Sequence, residues 1–278
     1  PTVYEQVKRL IDIDQYLDYV SVQIYIQNHD WPGNNVRLWR KAVSVNDLDA
    51  PYGHDGLWRW MIYDLDLAFA DFTANTIVNA TRTNGTEWHN QPWATFLLRS
   101  LLQNDEFRIA FLNRSADHMN STFLPEVVIA EIDRLEAIME PEIEEHIRRW
   151  NKPAATKQMW KQQNNSLRNF ARLRPQANCN HLIRYFGLAG TYQLTVQTDS
   201  TKGYVKVNSL ELTTATPGVF NPDQWTGIYF KDIPITLTAV AQPGSRFAGW
   251  EGVPPELRYC ETITITPQTD LTITALFI

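Results

Sequence analysis

The sequence predicts an α+β protein in which a mainly helical region, residues 1–189, precedes a small antiparallel β domain, residues 190–278. Three observations predict this fold. Apolar residues recur at helical spacing through most of the first region. From Thr191 onward they alternate with polar residues at a period of two. Between residues 28 and 64, a polar loop and two short strand patterns predict a β-hairpin inside the helical region.

The first long helix is expected to be buried. Asp12 and, three residues later, Gln15 have the pattern of a capping box. The apolar residues that follow as far as Ile26 cover most of the helix surface, which is typical of a core helix. Later helices are predicted to begin at Pro92, at Asn104 or Asp105, and at Pro125.

Proline and glycine predict how the helical region ends. A helix from about Thr156 is expected to stop at Arg174, because Pro175 cannot donate a backbone hydrogen bond. A last short helix is expected to end at Gly187. Beyond it, the Thr-rich alternation of residues 235–239 and 271–275 predicts strands with one face in water.

Composition excludes several classes of protein. Hydrophobic residues make up 44% and charged residues 20% of the 278, which is typical of a globular chain and excludes disorder. Lys and Arg total 25 against 31 Asp and Glu, so the net charge of −6 argues against a nucleic-acid partner. No apolar run reaches the ~18 residues of a membrane span. The two cysteines, Cys179 and Cys260, form no zinc-binding pattern.

The predicted hairpin brings oxygen-bearing side chains together. Residues 36–40 and 58–63 are expected to form its two antiparallel strands. The start of the first strand then lies opposite the end of the second, so Asn35 is expected within about 4–6 Å of Asp64, with Asp30 facing the same cleft. Oxygen ligands of this kind suit Mg²⁺.

Each of these residues also has a structural interpretation. Asp30 and Asn35 are common turn residues. Asp64 is harder to explain in this way, because it follows residues 60–63, which are expected to be largely buried. Asp66 is either a second metal ligand or a cap for the chain that follows. Four tryptophans near the loop are expected to lie in the core or to cover the hairpin, and not to form a sugar-binding platform: Trp31, Trp39, Trp58 and Trp60.

The particular residues of this motif resemble those of a known family. Protein kinases also use an Asp, an Asn five residues later, and a further Asp after a strand pair. NHDWPGNNV at positions 28–36, followed by WMIYDLDLAF at 60–69, closely resembles the CotH family of bacterial spore-coat-type atypical protein kinases. The resemblance continues to LRNFA at 167–171 and covers roughly residues 5–189.

This resemblance implies a kinase-like C-lobe that transfers the γ-phosphoryl group of ATP to Ser or Thr of a protein. Asp30 would be the catalytic base, Asn35 would hold one metal ion, and Asp64 would be the metal-binding counterpart of the kinase Asp that follows the strand pair. The chain departs from eukaryotic kinases at Asn28, where they have His, and at Leu65, where they have Phe. The second difference implies that a switch built on that Phe is absent.

The β domain has a resemblance of its own. PGSRFAGWEG at 243–252 and the flanking alternation resemble the bacterial surface repeat related to internalin B-repeats. Phe247 and Trp250 are expected to fill its small core. Such modules extend or display extracellular proteins, so the resemblance implies a spacer role and an exported or cell-surface bacterial protein.

Two other functions remain open at this point. The kinase-like region can be a non-catalytic scaffold in a surface module. Alternatively, Asp30 and Asp64 can be the paired carboxylates of a carbohydrate-active enzyme. The sequence begins at Pro1 within a helical pattern and shows no Gly-rich phosphate loop or strand Lys, so we expect this chain alone to bind ATP weakly and to be inactive.

Overall fold

A computed structural model describes residues 2–278 of the chain. It contains eight α-helices in this range: α1 (Val3–Val7), α2 (Ile13–Tyr25), α3 (Thr76–Ala80), α4 (Pro92–Leu101), α5 (Asp105–Met119), α6 (Pro125–Met139), α7 (Ile143–Trp150) and α8 (Lys157–Phe186). The strands are β1 (Arg37–Trp39), β2 (Arg59–Met61), β3 (Thr191–Gln197), β4 (Gly203–Val207), β5 (Leu210–Glu211), β6 (Gln224–Phe230), β7 (Ile235–Ala241), β8 (Phe247–Glu251), β9 (Thr262–Ile265) and β10 (Leu271–Phe277). A mainly helical region followed by small sheets confirms the predicted α+β class.

The chain divides into two compact units, the first ending at Arg114 and the second running from Ser115 to Ile278. This division falls within α5 and separates the parts of the chain that have most of their contacts within themselves. The predicted division at residues 189/190 rests instead on the change in sequence composition, and it stays a prediction. None of the helices described between residues 2 and 278 is long and apolar enough to cross a membrane.

Helix α2 forms the core of the first unit. Its N-cap is Asp12, whose Oδ1 accepts a hydrogen bond from the Gln15 backbone N–H at 3.1 Å, as predicted. Leu17, Val20 and Ile24 are buried. The second half of the capping box is absent, because the backbone N–H of Asp12 donates instead to the carbonyl of Trp58 at 3.1 Å. The predicted box is therefore half right.

The predicted hairpin is present, although its strands are shorter than expected. The antiparallel register pairs Arg37 with Met61, Leu38 with Trp60, and Trp39 with Arg59. Trp60 packs toward α2, with its ring centroid 4.5 Å from that of Tyr16. The expectation that residues 60–63 are largely buried is wrong, because Met61, Ile62 and Tyr63 are 45–47% exposed. Strand β2 packs against α2 through Trp60, whereas these three side chains face solvent.

A buried arginine fastens the hairpin to α2. Arg59 is 2% exposed, and its Nε donates to Asp12 Oδ2 at 2.8 Å. Its Nη1 donates to Asp55 Oδ1 at 2.8 Å, and the guanidinium lies 4.2 Å from the ring centroid of Tyr52. Arg59 also holds the pKa of Asp55 below its ordinary value, by hydrogen bonding to the charged carboxylate. The connection between the two strands is therefore held to α2 by ion pairs of Arg59 with Asp55 and Asp12.

The second unit contains one long helix where the sequence predicts two. Helix α8 runs from Lys157 to Phe186 with Pro175 inside it, so the predicted stop at Arg174 is wrong. Both sides of the proline are packed: Ala171, Arg174 and Leu182 are fully buried. Tertiary packing therefore outweighs the lost hydrogen bond. The helix does end at Gly187, which has a left-handed backbone (φ 66°), as predicted.

Two four-stranded sheets follow, with strand orders β6-β3-β10-β8 and β5-β4-β7-β9. Alternate side chains point inward, and Leu194, Val196 and Leu237 are completely buried. Trp250 is buried as expected, with its indole N–H donating to the carbonyl of Cys260 at 2.8 Å. The sheets are antiparallel except that β3 and β10 are parallel, which corrects the prediction of a purely antiparallel domain.

The end of α5 is hydrogen-bonded to these sheets inside the second unit. The carboxylate of Asp117 is 3% exposed and accepts four hydrogen bonds. The donors are Tyr229 Oη (2.9 Å), Asn208 Nδ2 (3.2 Å), Ser209 N (2.9 Å) and Ser209 Oγ (2.6 Å). Burial raises the pKa of Asp117, and these donors oppose the shift. Asn120 exchanges two 2.8 Å hydrogen bonds with the backbone of Ile228.

We expect the substitution Asp117→Ala to lower the free energy of unfolding by about 3 kcal/mol, because it leaves buried donors without an acceptor. Urea denaturation measures the change. The control is Glu145→Ala, an acid of the same unit that is 73% exposed. Its effect should stay within about 0.5 kcal/mol. Equal effects of the two substitutions would show that the Asp117 network does not stabilise this unit.

Candidate functional site

The polar loop at the end of α2 is held by a buried pair of amides. Asn28 Nδ2 donates to Gln23 Oε1 at 2.8 Å, and Asn28 Oδ1 accepts from the backbone N–H of Asp30 at 3.2 Å. Gln23 and Asn28 are both buried. Neither residue was predicted to have this role. The available signal was Gln23 itself, a polar residue on an apolar helix, because a buried amide requires a partner.

Asp30 has one carboxylate oxygen engaged and one free. Its Oδ2 accepts from Asn35 Nδ2 at 2.9 Å and from Asn34 Nδ2 at 3.4 Å. Its Oδ1 is buried and has no hydrogen-bond partner among residues 2–278. A buried carboxylate oxygen without a donor is unfavourable, so this atom is suited to bond a ligand. A turn residue would direct its carboxylate to nearby backbone groups, whereas Asp30 accepts from two side chains.

Asn35 is oriented by the same hydrogen bond. Because its amide nitrogen donates to Asp30, the amide oxygen is not used in that bond and can ligate a cation. Asn35 and Asp64 both have left-handed backbones with φ of 53°, a conformation that Asn and Asp tolerate better than most residues. The paired part of the hairpin ends at Arg37 and Met61, two residues after Asn35 and three residues before Asp64.

Asp64 and Asp66 follow β2, and both are exposed. The chain beyond them is hydrogen-bonded to the polar loop: His29 N donates to Leu67 O at 3.2 Å, and Phe69 N donates to Ile26 O at 2.8 Å. The structure thus joins Asp30 and Asn35 directly. It connects the segment that carries Asp64 and Asp66 to their loop through the backbone. The 4–6 Å separation of Asn35 and Asp64 stays a prediction.

Residues 88 and 89 form a wall beside Asp30 that the sequence analysis missed. Gly33 N donates to His89 O at 2.8 Å, and a Cβ on Gly33 would lie 2.4 Å from the Trp88 carbonyl oxygen. Only glycine fits this contact. The rings of His29 and His89 lie 4.6 Å apart. His89 Nδ1 is buried and has no partner in the described part of the chain.

Burial, and then the neighbouring His29, lower the pKa of His89. Glu87 and Asp30 act in the opposite direction, and Arg82 adds to the lowering. His89 is therefore neutral at pH 7 in the folded protein. No local pattern marks this residue, because His29, Asp30 and Gly33 belong to a loop about 60 positions earlier.

Comparison with known proteins identifies the family of the chain. The family model described as CotH kinase protein matches residues 2–177, well over half of the chain. The chain belongs to the CotH kinase family. No curated protein and no solved structure gives a significant match. The resemblance predicted over residues 5–189 is confirmed for most of that range, while the resemblance of residues 190–278 to a surface repeat stays a prediction.

The lowered pKa of His89 predicts a loss of stability in acid. The unfolded chain has a His pKa near 6.5 and binds more protons than the folded chain below that value. The contribution of neutral His89 is therefore complete above about pH 6.5 and is lost as the pH falls. His89→Phe, which cannot be protonated, should flatten the decline in unfolding free energy between pH 7 and 5.

Urea unfolding at several pH values measures this change. The control is His54→Phe, a substitution at an exposed histidine, which should leave the pH dependence as in the natural chain. If His89→Phe also leaves it unchanged, the pKa shift of His89 is not what couples the fold to pH.

Proposed function

We propose that the protein is an atypical protein kinase that transfers the γ-phosphoryl group of ATP to a Ser or Thr hydroxyl of a protein substrate, with Mg²⁺. The observation that supports this most is the buried, unpartnered Oδ1 of Asp30 beside an oxygen that Asn35 holds in place. Membership of the CotH kinase family supports the same reaction class.

In this proposal, Asp30 orients the acceptor hydroxyl and takes its proton. Oδ1 accepts the hydroxyl hydrogen bond. As the hydroxyl oxygen bonds to the γ-phosphorus, its proton moves to the carboxylate, and the bond from that phosphorus to the oxygen of the departing ADP breaks. Asn35 and Asn34 keep the carboxylate from rotating by binding Oδ2. Asn28 and Gln23 hold the loop that carries it. The contribution of these groups is positioning, which is the main source of catalysis in phosphoryl transfer.

The donor set suits a magnesium ion that arrives with the nucleotide. Asn35 Oδ1, Asp64 and Asp66 would hold the ion, which supplies charge neutralisation of the phosphates when it is bound. Within the range that the structure describes, no three or more His, Cys, Asp and Glu residues form a metal-binding group. Mg²⁺ commonly uses one or two carboxylates together with water and substrate phosphates.

The rival functions receive less support. A carbohydrate-active enzyme needs a pair of carboxylates and gives no reason for the hydrogen bonds that Asn34 and Asn35 donate to Asp30. A non-catalytic surface module is compatible with the exposed apolar side chains of the hairpin, Met61, Ile62 and Tyr63. It gives no reason for the unpartnered oxygen of Asp30.

We further propose that the protein acts outside the cell or on its surface, where residues 190–278 extend or display it. Its partners are ATP and a protein that presents Ser or Thr, and we propose no nucleic-acid partner. We expect phosphoryl transfer by residues 1–278 alone to be weak. Calorimetric titration with Mg·ATP tests this expectation, and micromolar affinity would contradict it.

Substitutions in the full-length protein separate the two roles. Asp64→Asn should abolish Mg²⁺-dependent phosphorylation, because a neutral amide does not balance the charge of the ion. Asp30→Asn should retain Mg·ATP binding while kcat falls by about 100-fold or more, the usual contribution of a general base. Radiolabelled phosphate transfer and nucleotide titration measure these effects.

Asp49→Asn, an exposed substitution in the connection between β1 and β2, is the matched control and should behave like the natural chain. Asp66→Asn decides between the two interpretations of Asp66. A rise in the Mg²⁺ concentration needed for half-maximal rate indicates a ligand, and an unchanged requirement indicates a cap. Full activity of either Asp30→Asn or Asp64→Asn would overturn the roles proposed here.

A further inference from the structure

The strand that leads to Asp64 is fixed to the start of α2 by several hydrogen bonds. Trp58 N donates to Leu10 O at 2.9 Å, and Asp12 N donates to Trp58 O at 3.1 Å. Two residues further on, the side-chain amide of Gln15 binds both backbone groups of Trp60. Gln15 Nε2 donates to Trp60 O at 2.7 Å, and Gln15 Oε1 accepts from Trp60 N at 2.8 Å.

The side chain of Gln15 takes the place of a neighbouring strand at Trp60. Successive residues of a strand direct their backbone groups to opposite edges, and β1 is paired along one edge of β2. Gln15 satisfies the N–H and C=O of Trp60 with the same donor and acceptor pair that a further strand would offer. The edge of β2 toward α2 is thereby closed at this residue.

The other end of the same segment is fixed to the far end of α2. Leu67 and Phe69 are bonded to His29 and Ile26, which lie at or just beyond the end of the helix. The 13 residues of α2 span about 20 Å. The segment from Trp60 to Leu67 is not fully extended, because Asp64 has a left-handed backbone (φ 53°) and Ala68 N donates to Leu65 O at 3.1 Å. Both of its ends are attached to α2, and Asp64 lies between the two attachments.

We propose that Gln15 is a positioning residue for the metal site: its amide fixes the strand at Trp60 and so sets the place of Asp64 relative to Asp30. This inference rests on the proposed function. Asp30 is carried by the loop at the end of α2, and Asp64 is carried by the segment fixed along it. One helix therefore determines the distance between the catalytic base and the metal ligand.

Gln15→Leu tests this role, because it removes both hydrogen bonds and keeps the side chain close in size. The full-length protein is titrated with Mn²⁺ alone, followed by electron paramagnetic resonance. Hydrogen exchange is measured on peptides that cover residues 58–69. Gln6→Leu, the same substitution at an exposed position in α1, is the control. Asp64→Asn is titrated in parallel.

The expected result for Gln15→Leu is a rise in the Mn²⁺ Kd of about tenfold, the scale seen when a group that orients a metal ligand is lost. Exchange should accelerate in residues 60–66. The Mg²⁺ concentration for half-maximal rate should rise in parallel, while the KM for the acceptor protein is unchanged. Gln6→Leu should match the natural chain in all four measurements.

Gln15→Glu provides a second variant if Gln15→Leu does not fold. It keeps the acceptor for the Trp60 N–H and replaces the donor with an oxygen that faces the Trp60 carbonyl, so a smaller rise in Kd is expected. A natural Mn²⁺ Kd in the Gln15 variants, with binding lost in Asp64→Asn, would overturn the positioning role and leave the proposed function intact. Natural binding in Asp64→Asn would overturn both.

Discussion

Burial of α2 is the constraint on which the first unit depends. Its apolar side chains occupy the core, and its polar side chains are directed at particular partners outside the helix. Asp12 binds Arg59, Gln15 binds the backbone of Trp60, and Gln23 binds Asn28. Because each bond is part-buried or buried, breaking one leaves a polar group without water to replace its partner. These hydrogen bonds thus hold the hairpin and the loop of Asp30 in fixed positions relative to the buried helix.

Sequence reasoning predicted the features that depend on neighbouring residues. The N-cap at Asp12, the hairpin, the helix starts at Pro92 and Pro125, and the end at Gly187 all follow from local rules. The family motif at positions 28–36 and 60–69 was recognised for the same reason, since its residues are close in sequence. The pairing of Asp30 with Asn35 was expected only as proximity, and the structure adds the hydrogen bond.

Features that depend on distant partners were not predictable in the same way. Gln15 has the spacing of a capping residue, yet it bonds 45 positions away, where two backbone groups of β2 are available. Pro175 follows the rule for a helix stop, but packing around Ala171 and Leu182 keeps the helix continuous. His89 and Gly33 meet because two loops touch. In each case, the deciding interaction is tertiary and has no local signature.

The four hydrogen bonds at Asp117 restrict which modules could replace residues 190–278 by recombination during evolution. The family match ends at residue 177, inside α8, whereas Asp117 and Asn120 reach Ser209, Tyr229 and Ile228. A recombination event that exchanged residues 190–278 for an unrelated module would leave a buried carboxylate without donors. The incoming module would have to present two hydroxyls, an amide and a free backbone N–H at the same places. Inheritance of the β region together with the end of α5 is therefore favoured over free shuffling.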